Sequence, residues 1–322
     1  MEIFRHIDDR QLSPSGSVAT MGNFDGIHIG HQSLIRNAVA EARQRDCPSV
    51  VLTFEPHPLK ILAPHRAPKL ILTHKDKMQM LQALGVDAVV IQNFDLRFAN
   101  MQPQEFVRSF LVDRLHVKKI WVGRDLRFGQ GRKGRVEDLI HWGRDLGFEV
   151  GVVEPILLDG ARVSSSRVRQ LLQQGRVDEV KPLLGRYHFV SGRVVSGHRR
   201  GRALGFPTAN LATRTEALPL DGIYATLFKL DEREWLSVSS IGTNPTFGEG
   251  SRTIETFILD FSSGIYSKTV KVSFVKRLRE ERKFASADQL AAQMHEDVEI
   301  AKTVFSSLNL NHASSIADHS DA

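Results

Sequence analysis

Cysteine is almost absent. Of 322 residues only Cys47 is a cysteine, so no intrachain disulfide can form and no cysteine cluster can hold zinc. Long apolar runs are missing too. No stretch approaches the roughly 18 residues of a membrane span, and Met1–His6 lacks the apolar centre of a signal peptide. Tryptophan and tyrosine number three each, and aromatics total 7%, which is poor material for a face that stacks bases. Gly-Lys-Ser and Gly-Lys-Thr do not occur, which excludes a Walker-type phosphate loop. A cytoplasmic protein without membrane or nucleic-acid partners is expected.

What is present is ordinary for a folded chain. The hydrophobic share is 41% before the 24 glycines are added, close to the roughly 45–50% of soluble domains. A length of 322 residues suggests two domains. Lys plus Arg is 43 against 37 acids, a formal charge of +6, which suits anionic partners, whether nucleotides, nucleic acid or acidic lipid.

The first half alternates short apolar strands with helical patterns. Val18–Met21, Ser49–Phe54, Ala88–Ile91, Lys119–Val122 and Glu149–Val153 read as strands. Gln32–Arg45, Lys75–Leu84, Pro103–Leu115 and Val136–Leu146 read as helices. This alternation predicts βαβ units and a parallel sheet, an α/β domain of Rossmann type. Ligands of such sheets sit beyond the carboxyl ends of the strands, which singles out Gly22–His31, Glu55–Pro58 and Gly123–Gly134. Ser164–Gln174 reads as a further helix. From Tyr187 the pattern becomes short strands: Phe189–Val195, Gly222–Leu230, Leu236–Ile241, Thr253–Phe261 and Thr269–Phe274. They predict an antiparallel barrel, followed by a helix at Ser286–Val304. The expected domains are 1–184 and 185–308, with a disordered tail over 309–322.

Two segments carry chemistry. In Gly22-Asn23-Phe24-Asp25-Gly26-Ile27-His28-Ile29-Gly30-His31 a strand ends and a helix begins. Helix N-termini offer free N–H groups to phosphate, and His28 and His31, three apart, share a face. Gly22 and Gly26 permit close backbone approach, and Gly30 would leave room for a flat base. The run Gly129–Gly134 fits G-x-G-x-x-G but lies too far from the first strand for a dinucleotide fingerprint; it reads as a mobile basic loop. In the second half Gly192, Gly197, Gly201 and Gly205 recur among arginines, either as anion-binding turns or as a solvated hairpin. Thr208 and Asn210 face one way in extended chain, and a hydroxyl with an amide oxygen suits Mg²⁺ beside ATP phosphates. Glu255 shares a predicted strand face with Phe257, Leu259 and Phe261, and is either a general base or an ion-paired carboxylate at a barrel mouth.

The His28-Ile29-Gly30-His31 string resembles the signature of the nucleotidyltransferase superfamily, which includes class I aminoacyl-tRNA synthetases. Joined with Phe54–Pro58, Val122–Gly129 and Ser164–Arg169, it resembles the bacterial bifunctional riboflavin kinase/FMN adenylyltransferase (FAD synthetase) family. Gly205–Asn210, Gly222–Tyr224, Ile241–Phe247 and Lys276–Phe284 resemble its kinase half, in the same order. The resemblance implies two ATP- and Mg²⁺-dependent reactions: riboflavin to FMN in the barrel, and FMN to FAD in the α/β domain. It implies that His28, His31, Gly22, Asp25, Ser165, Ser166 and Arg169 hold ATP in the first domain. Phe54, Pro56, Pro58, Asp125 and Phe128 would line its flavin pocket. In the barrel Gly197, Thr208 and Asn210 would bind Mg-ATP, Glu255 would be the base, and Arg279 would touch flavin. Three positions depart from the family pattern: Ser267 stands where Gly is usual, Ser240 where Asn is common, and Ser166 where Thr is common. A monomer with weak self-association is expected. The rival readings are a basic nucleic-acid-binding barrel, a synthetase relative without its Lys-Met-Ser-Lys-Ser loop, and a chain with one silent module.

Overall fold

The computed structural model describes residues 1–5, 16–196, 205–243 and 252–310. Gly197, Gly201, most of the neighbouring arginines, the Asn244–Phe247 part of the kinase motif and the end of the expected tail lie outside them. By contacts the chain forms two compact units. One comprises Met1–Lys69 and His74–Ser165; the other comprises Leu70–Thr73 and Ser166–Ala322. The division therefore falls in front of two helices that the sequence assigns to the first domain.

The first unit is built on a six-stranded parallel sheet. Its strands are β1 (Glu2–Arg5), β2 (Ser17–Met21), β3 (Ser49–Glu55), β4 (Ala88–Asn93), β5 (Val117–Gly123) and, after the short hairpin β6 (Arg127–Phe128) and β7 (Gly134–Arg135), β8 (Glu149–Val153). Their order is β1-β4-β3-β2-β5-β8. From β2, strands β3 and β4 are added on one side of the sheet, and β5 and β8 on the other. The order reverses between β2 and β5, which pair directly. Central strands covered on both faces are near-continuous apolar runs, as in Val50–Leu52, all at most 1% exposed.

Helix α1 (Ile29–Gln44) buries Ile35, Ala38, Val39 and Ala42, the spacing of one helical face. After α2 (Pro58–Leu62) and α3 (His74–Ala83) come the short α4 (Leu96–Ala99) and α5 (Pro103–Phe106). The single helix expected over Pro103–Leu115 is instead α5 followed by a π-helical turn at Val107–Val112. The i→i−5 bond from Leu115 N to Phe110 O widens the turn, a distinction apolar spacing cannot make. Helix α6 is Val136–Leu146. The hairpin β9 (Leu157–Leu158) and β10 (Ala161–Arg162) leads to α7 (Ser165–Gln173).

The Gly129–Gly134 run is no mobile loop. It sits in the β6–β7 hairpin, with Gln130 N bonded to Met101 O. A side chain at Gly129 would strike Pro103, and one at Gly134 would strike Phe128 and Pro103. These glycines are packing devices.

In the second unit α8 (Val177–Leu184) precedes a closed six-stranded antiparallel barrel. It consists of β11 (His188–Val195), β12 (Thr208–Thr213), β13 (Gly222–Leu230), β14 (Arg233–Thr243), β15 (Arg252–Ile258) and β16 (Thr269–Arg279). The closed order is β11-β12-β15-β14-β13-β16. Along β13, Ala225 and Leu227 join Ala301 and Phe305 of α9 (Ala287–Ser307) in one core. The alternate residues Tyr224, Thr226 and Phe228 are fully buried on the other face. There Thr226 meets Ser237 and Ser239, and Ser239 meets Thr256, each at 2.8 Å, so the buried hydroxyls satisfy one another. Gly192 lies inside β11, not in an anion-binding turn. A Cβ there would come within 2.3 Å of the Ala212 carbonyl on the neighbouring strand.

Candidate functional sites

The reversal between β2 and β5 places a crevice beyond their carboxyl ends, and a cavity of about 560 Å³ lies there. Gly22 after β2 and Gly123 at the end of β5 both line it. His28 enters as a structural device. As N-cap of α1 its Nδ1 accepts the His31 amide at 3.2 Å. An accepting Nδ1 leaves the ring proton on Nε2, so the side chain presents a donor to the cavity. The Gly30 space belongs to this ring: a Cβ at Gly30 would lie 3.2 Å from His28 Cε1 and Nδ1. Gly30 also lines the cavity.

The His31 ring stacks on His28 at 3.6 Å between centroids and meets the edge of Phe24. Its Nδ1 is buried without a hydrogen-bond partner. Burial, then the charges of His28, Lys77 and Arg162, hold its pKa well below the ordinary value, so the ring is neutral at physiological pH.

The far wall is aromatic. Phe54 contacts Phe94 and Phe98 at 6.0 and 5.8 Å. Phe128 packs on Phe106 and Trp142 and is 8% exposed, as much core as lining. Asp125 faces the cavity in an ion pair with Arg162 at 2.7 Å, and Pro58 also lines it. Pro56, which follows a cis peptide bond, is not part of the lining, and neither are Asp25 and Ser165. Ser165 Oγ instead donates to the Asp25 carbonyl at 2.8 Å, tying the start of α7 to the loop after β2. Ser166 and Arg169 belong to the second compact unit.

Several lining residues escape sequence reasoning. Phe94 and Phe98 follow β4 just as Phe54 lies at the end of β3, so the strand-end rule finds them once that segment is inspected. Arg162 stands alone in a short hairpin and carries no local pattern. Behind the loop, Lys77 of α3 points its ammonium inward to Thr53 Oγ1 at 3.2 Å and the Asn23 carbonyl at 3.4 Å. Nothing in the helical pattern of α3 marks it.

In the barrel, cross-strand register makes the second cluster. Asn210 of β12 and Ser240 of β14 both stand opposite Glu255 of β15. Thr208 Oγ1 approaches Glu255 Oε2 at 3.5 Å, and Asn210 is 8% exposed. Strand β15 ends at Ile258, so Leu259 and Phe261 do not continue the face that carries Glu255 and Phe257. A further carboxylate, Glu281, accepts from Ser240 Oγ at 3.4 Å and fills the space a Cβ would need at Gly242. Its pKa is pushed up by burial and then by the charge of Asp221. Arg279 is held by Asp297 of α9 through two 2.6 Å bonds, a paired fork that fixes α9 to β16. A recess of about 390 Å³ lies between Arg193–Ser196 and Tyr266–Ser267. Hydroxyl, amide and carboxylate oxygens around Glu255 suit a hard divalent cation. The described residues hold no group of three His, Cys, Asp or Glu placed for a metal, and none of their helices is long and apolar enough to cross a membrane.

The FAD synthetase family matches residues 10–167 and the riboflavin kinase family residues 184–305. The bifunctional riboflavin kinase/FMN adenylyltransferase of Escherichia coli strain K12 is 38% identical over 95% of this chain and 98% of its own length. That of Haemophilus influenzae is 34% identical over 95% of this chain and 100% of its own. A crystal structure described as a macrolide-efflux protein from Streptococcus pneumoniae is 34% identical. It covers 94% of this chain and 99% of its own, with a TM-score of 0.85. With both domains matched and relatives aligned end to end, this chain belongs to the bifunctional riboflavin kinase/FMN adenylyltransferase family.

Proposed function

We propose that the enzyme's two reactions are divided between the two sites: FMN adenylylation in the cavity beside β2 and β5, and riboflavin phosphorylation around Glu255. The observation carrying this division is that His28, His31 and the phenylalanine wall meet in one cavity of one unit, while Thr208, Asn210 and Glu255 meet on two paired strands of the other.

Adenylyl transfer needs no protein nucleophile. The FMN phosphate attacks the α-phosphorus of ATP and pyrophosphate leaves, so the protein supplies position and charge stabilisation. His28 donates through Nε2 to a phosphate oxygen, and the neutral His31 stacked on it keeps that ring in place. The phenylalanine wall takes the isoalloxazine, with Pro56 and Pro58 shaping the strand end before it. Gly22 and Asp25 form the loop beside the triphosphate. Ser165, whose hydroxyl holds the Asp25 carbonyl, steadies that loop beside the phosphates. In the barrel Glu255 accepts the proton of the ribityl 5′-hydroxyl as that oxygen attacks the γ-phosphorus of a second ATP, and the bond from that phosphorus to the β-phosphate oxygen breaks to release ADP. Thr208 and Asn210 would hold Mg²⁺, which neutralises phosphate charge. Arg279, fixed by Asp297, orders the strand end beside the flavin.

The domains run over 1–184 and 185–308, with 309–322 as a tail. The enzyme is cytoplasmic, takes small molecules rather than nucleic acid or membrane as partners, and is a monomer with weak self-association. The test is to incubate the protein with ATP, Mg²⁺ and either riboflavin or FMN, and separate the flavins by chromatography. Glu255→Gln is expected to stop FMN formation while added FMN still becomes FAD, and His28→Ala to do the reverse. Loss of both reactions in a folded single variant would overturn the division.

A further inference from the structure

We propose that Lys77 is a positioning residue for adenylyl transfer, anchoring the Gly22–Asp25 loop from behind and setting a fixed positive charge beneath the phosphate-binding end of the cavity. This rests on the assignment of that cavity to adenylylation. Lys77 lies on α3 among Asp76, Met78 and Leu81, all buried. A solvated lysine would turn its amine outward. This one points inward, with Nζ bonded to Thr53 Oγ1, a residue at 0% exposure, and to the Asn23 carbonyl. Desolvation lowers its pKa, and the carboxylates of Asp25 and Glu55 pull it back up. Turning an ammonium inward carries a desolvation cost unless it is well paired, and an apolar side chain of similar length would fill the space without that cost.

The contacts say what the charge does. Asn23 lines the cavity, as does His57, and the Asn23 amide group lies 3.3 Å from His57 Nε2. Holding the Asn23 carbonyl fixes the loop between the end of β2 and the His28 cap. A second link is electrostatic. Lys77 stands among the groups that keep His31 neutral, together with burial, His28 and Arg162. A cation behind the loop also favours the triphosphate without touching it, because charge fixed in a protein needs no reorganisation as the reaction proceeds.

Two variants test this: Lys77→Met, which removes charge and donor, and Lys77→Gln, which keeps a donor for the Asn23 carbonyl and removes only the charge. Steady-state conversion of FMN to FAD is measured with ATP and FMN varied separately, and His31 is titrated by NMR. In Lys77→Met, kcat is expected to fall about 10- to 100-fold, with KM for FMN within about twofold of the wild type. The His31 titration should move upward. Lys77→Gln should recover part of kcat, with the same upward shift of His31. Should Lys77→Met fail to fold, the Gln variant decides. A folded variant with wild-type kcat, or one whose His31 titration does not move, overturns the proposal. If His28→Ala leaves FAD formation intact, the cavity assignment itself has failed. If His28→Ala abolishes it and both Lys77 variants keep it, only the role of Lys77 has failed.

Discussion

In the first unit the polar groups are placed by what the chain does locally: a strand ends, a loop turns, and His28 caps the helix that follows. In the barrel Thr208, Asn210, Ser240 and Glu255 come from three strands and meet only through register. The first arrangement survives so long as one loop and one helix start are intact. The second depends on every pairing between β12 and β14, because slipping one strand by a residue turns its side chains to the other face. Local order thus sets the His28–His31 pair within one segment, and cross-strand order gives a cluster that fails with its scaffold.

The largest effects should come from the reacting groups. Glu255→Gln is expected to lower FMN formation about 10³-fold, in the range for losing a general base. His28→Ala should lower FAD formation from FMN about 10²-fold, as for one lost charge-stabilising donor; product chromatography reads both. If Glu255→Gln also slowed FAD formation from added FMN, the two sites would not be separable in this way. Next comes the scaffold. Gly192→Ala, whose Cβ would run into the Ala212 carbonyl, should cost about 3 kcal/mol by overpacking. Urea unfolding should then show the barrel melting early, with kinase activity lost before adenylylation.

A smaller effect separates the units by pH. His188 is 1% exposed, and burial, then Arg186, hold its pKa down to about 3. Its folded value lies below the unfolded value of about 6.5, so the unfolded chain takes up the proton first as pH falls. The stabilisation is complete above about pH 6.5 and is lost progressively from there toward pH 3. By pH 5 the loss amounts to about 2 kcal/mol. His188→Leu should flatten that part of the urea-midpoint curve against pH; an unchanged slope would refute the assignment. The smallest effect is at Ser267, which adopts φ +67°, a conformation that disfavours side chains. Ser267→Gly should stabilise the barrel by about 1 kcal/mol, read as a rise in urea midpoint.

The same contrast explains how much could be read from the sequence. Strand β8, helix α6 and strand β13 stand where their patterns put them, at Glu149–Val153, Val136–Leu146 and Gly222–Leu230. The loop from Gly22 to His31 is legible because its chemistry and its geometry occupy one segment. Strand β1 was invisible because Glu2–Arg5 is an edge strand, mostly exposed, with no apolar run. The departure at Ser267 was legible as a missing glycine, and the structure supplies the reason in its backbone angle. What no single segment contains stayed hidden: the Asp125–Arg162 pair, Glu281 beside Ser240, and Lys77 under Asn23. Each joins groups at least 37 residues apart in sequence.

The His28 cap ties the start of α1 to the state of the site. Since the ring that lines the cavity also receives the His31 amide hydrogen, any motion that swings the imidazole away leaves that hydrogen open to solvent. Deuterium uptake at this one amide therefore becomes an intrinsic clock for how often the ring departs. It needs no dye, no label and no turnover, and it can be read in the resting enzyme before a nucleotide is added.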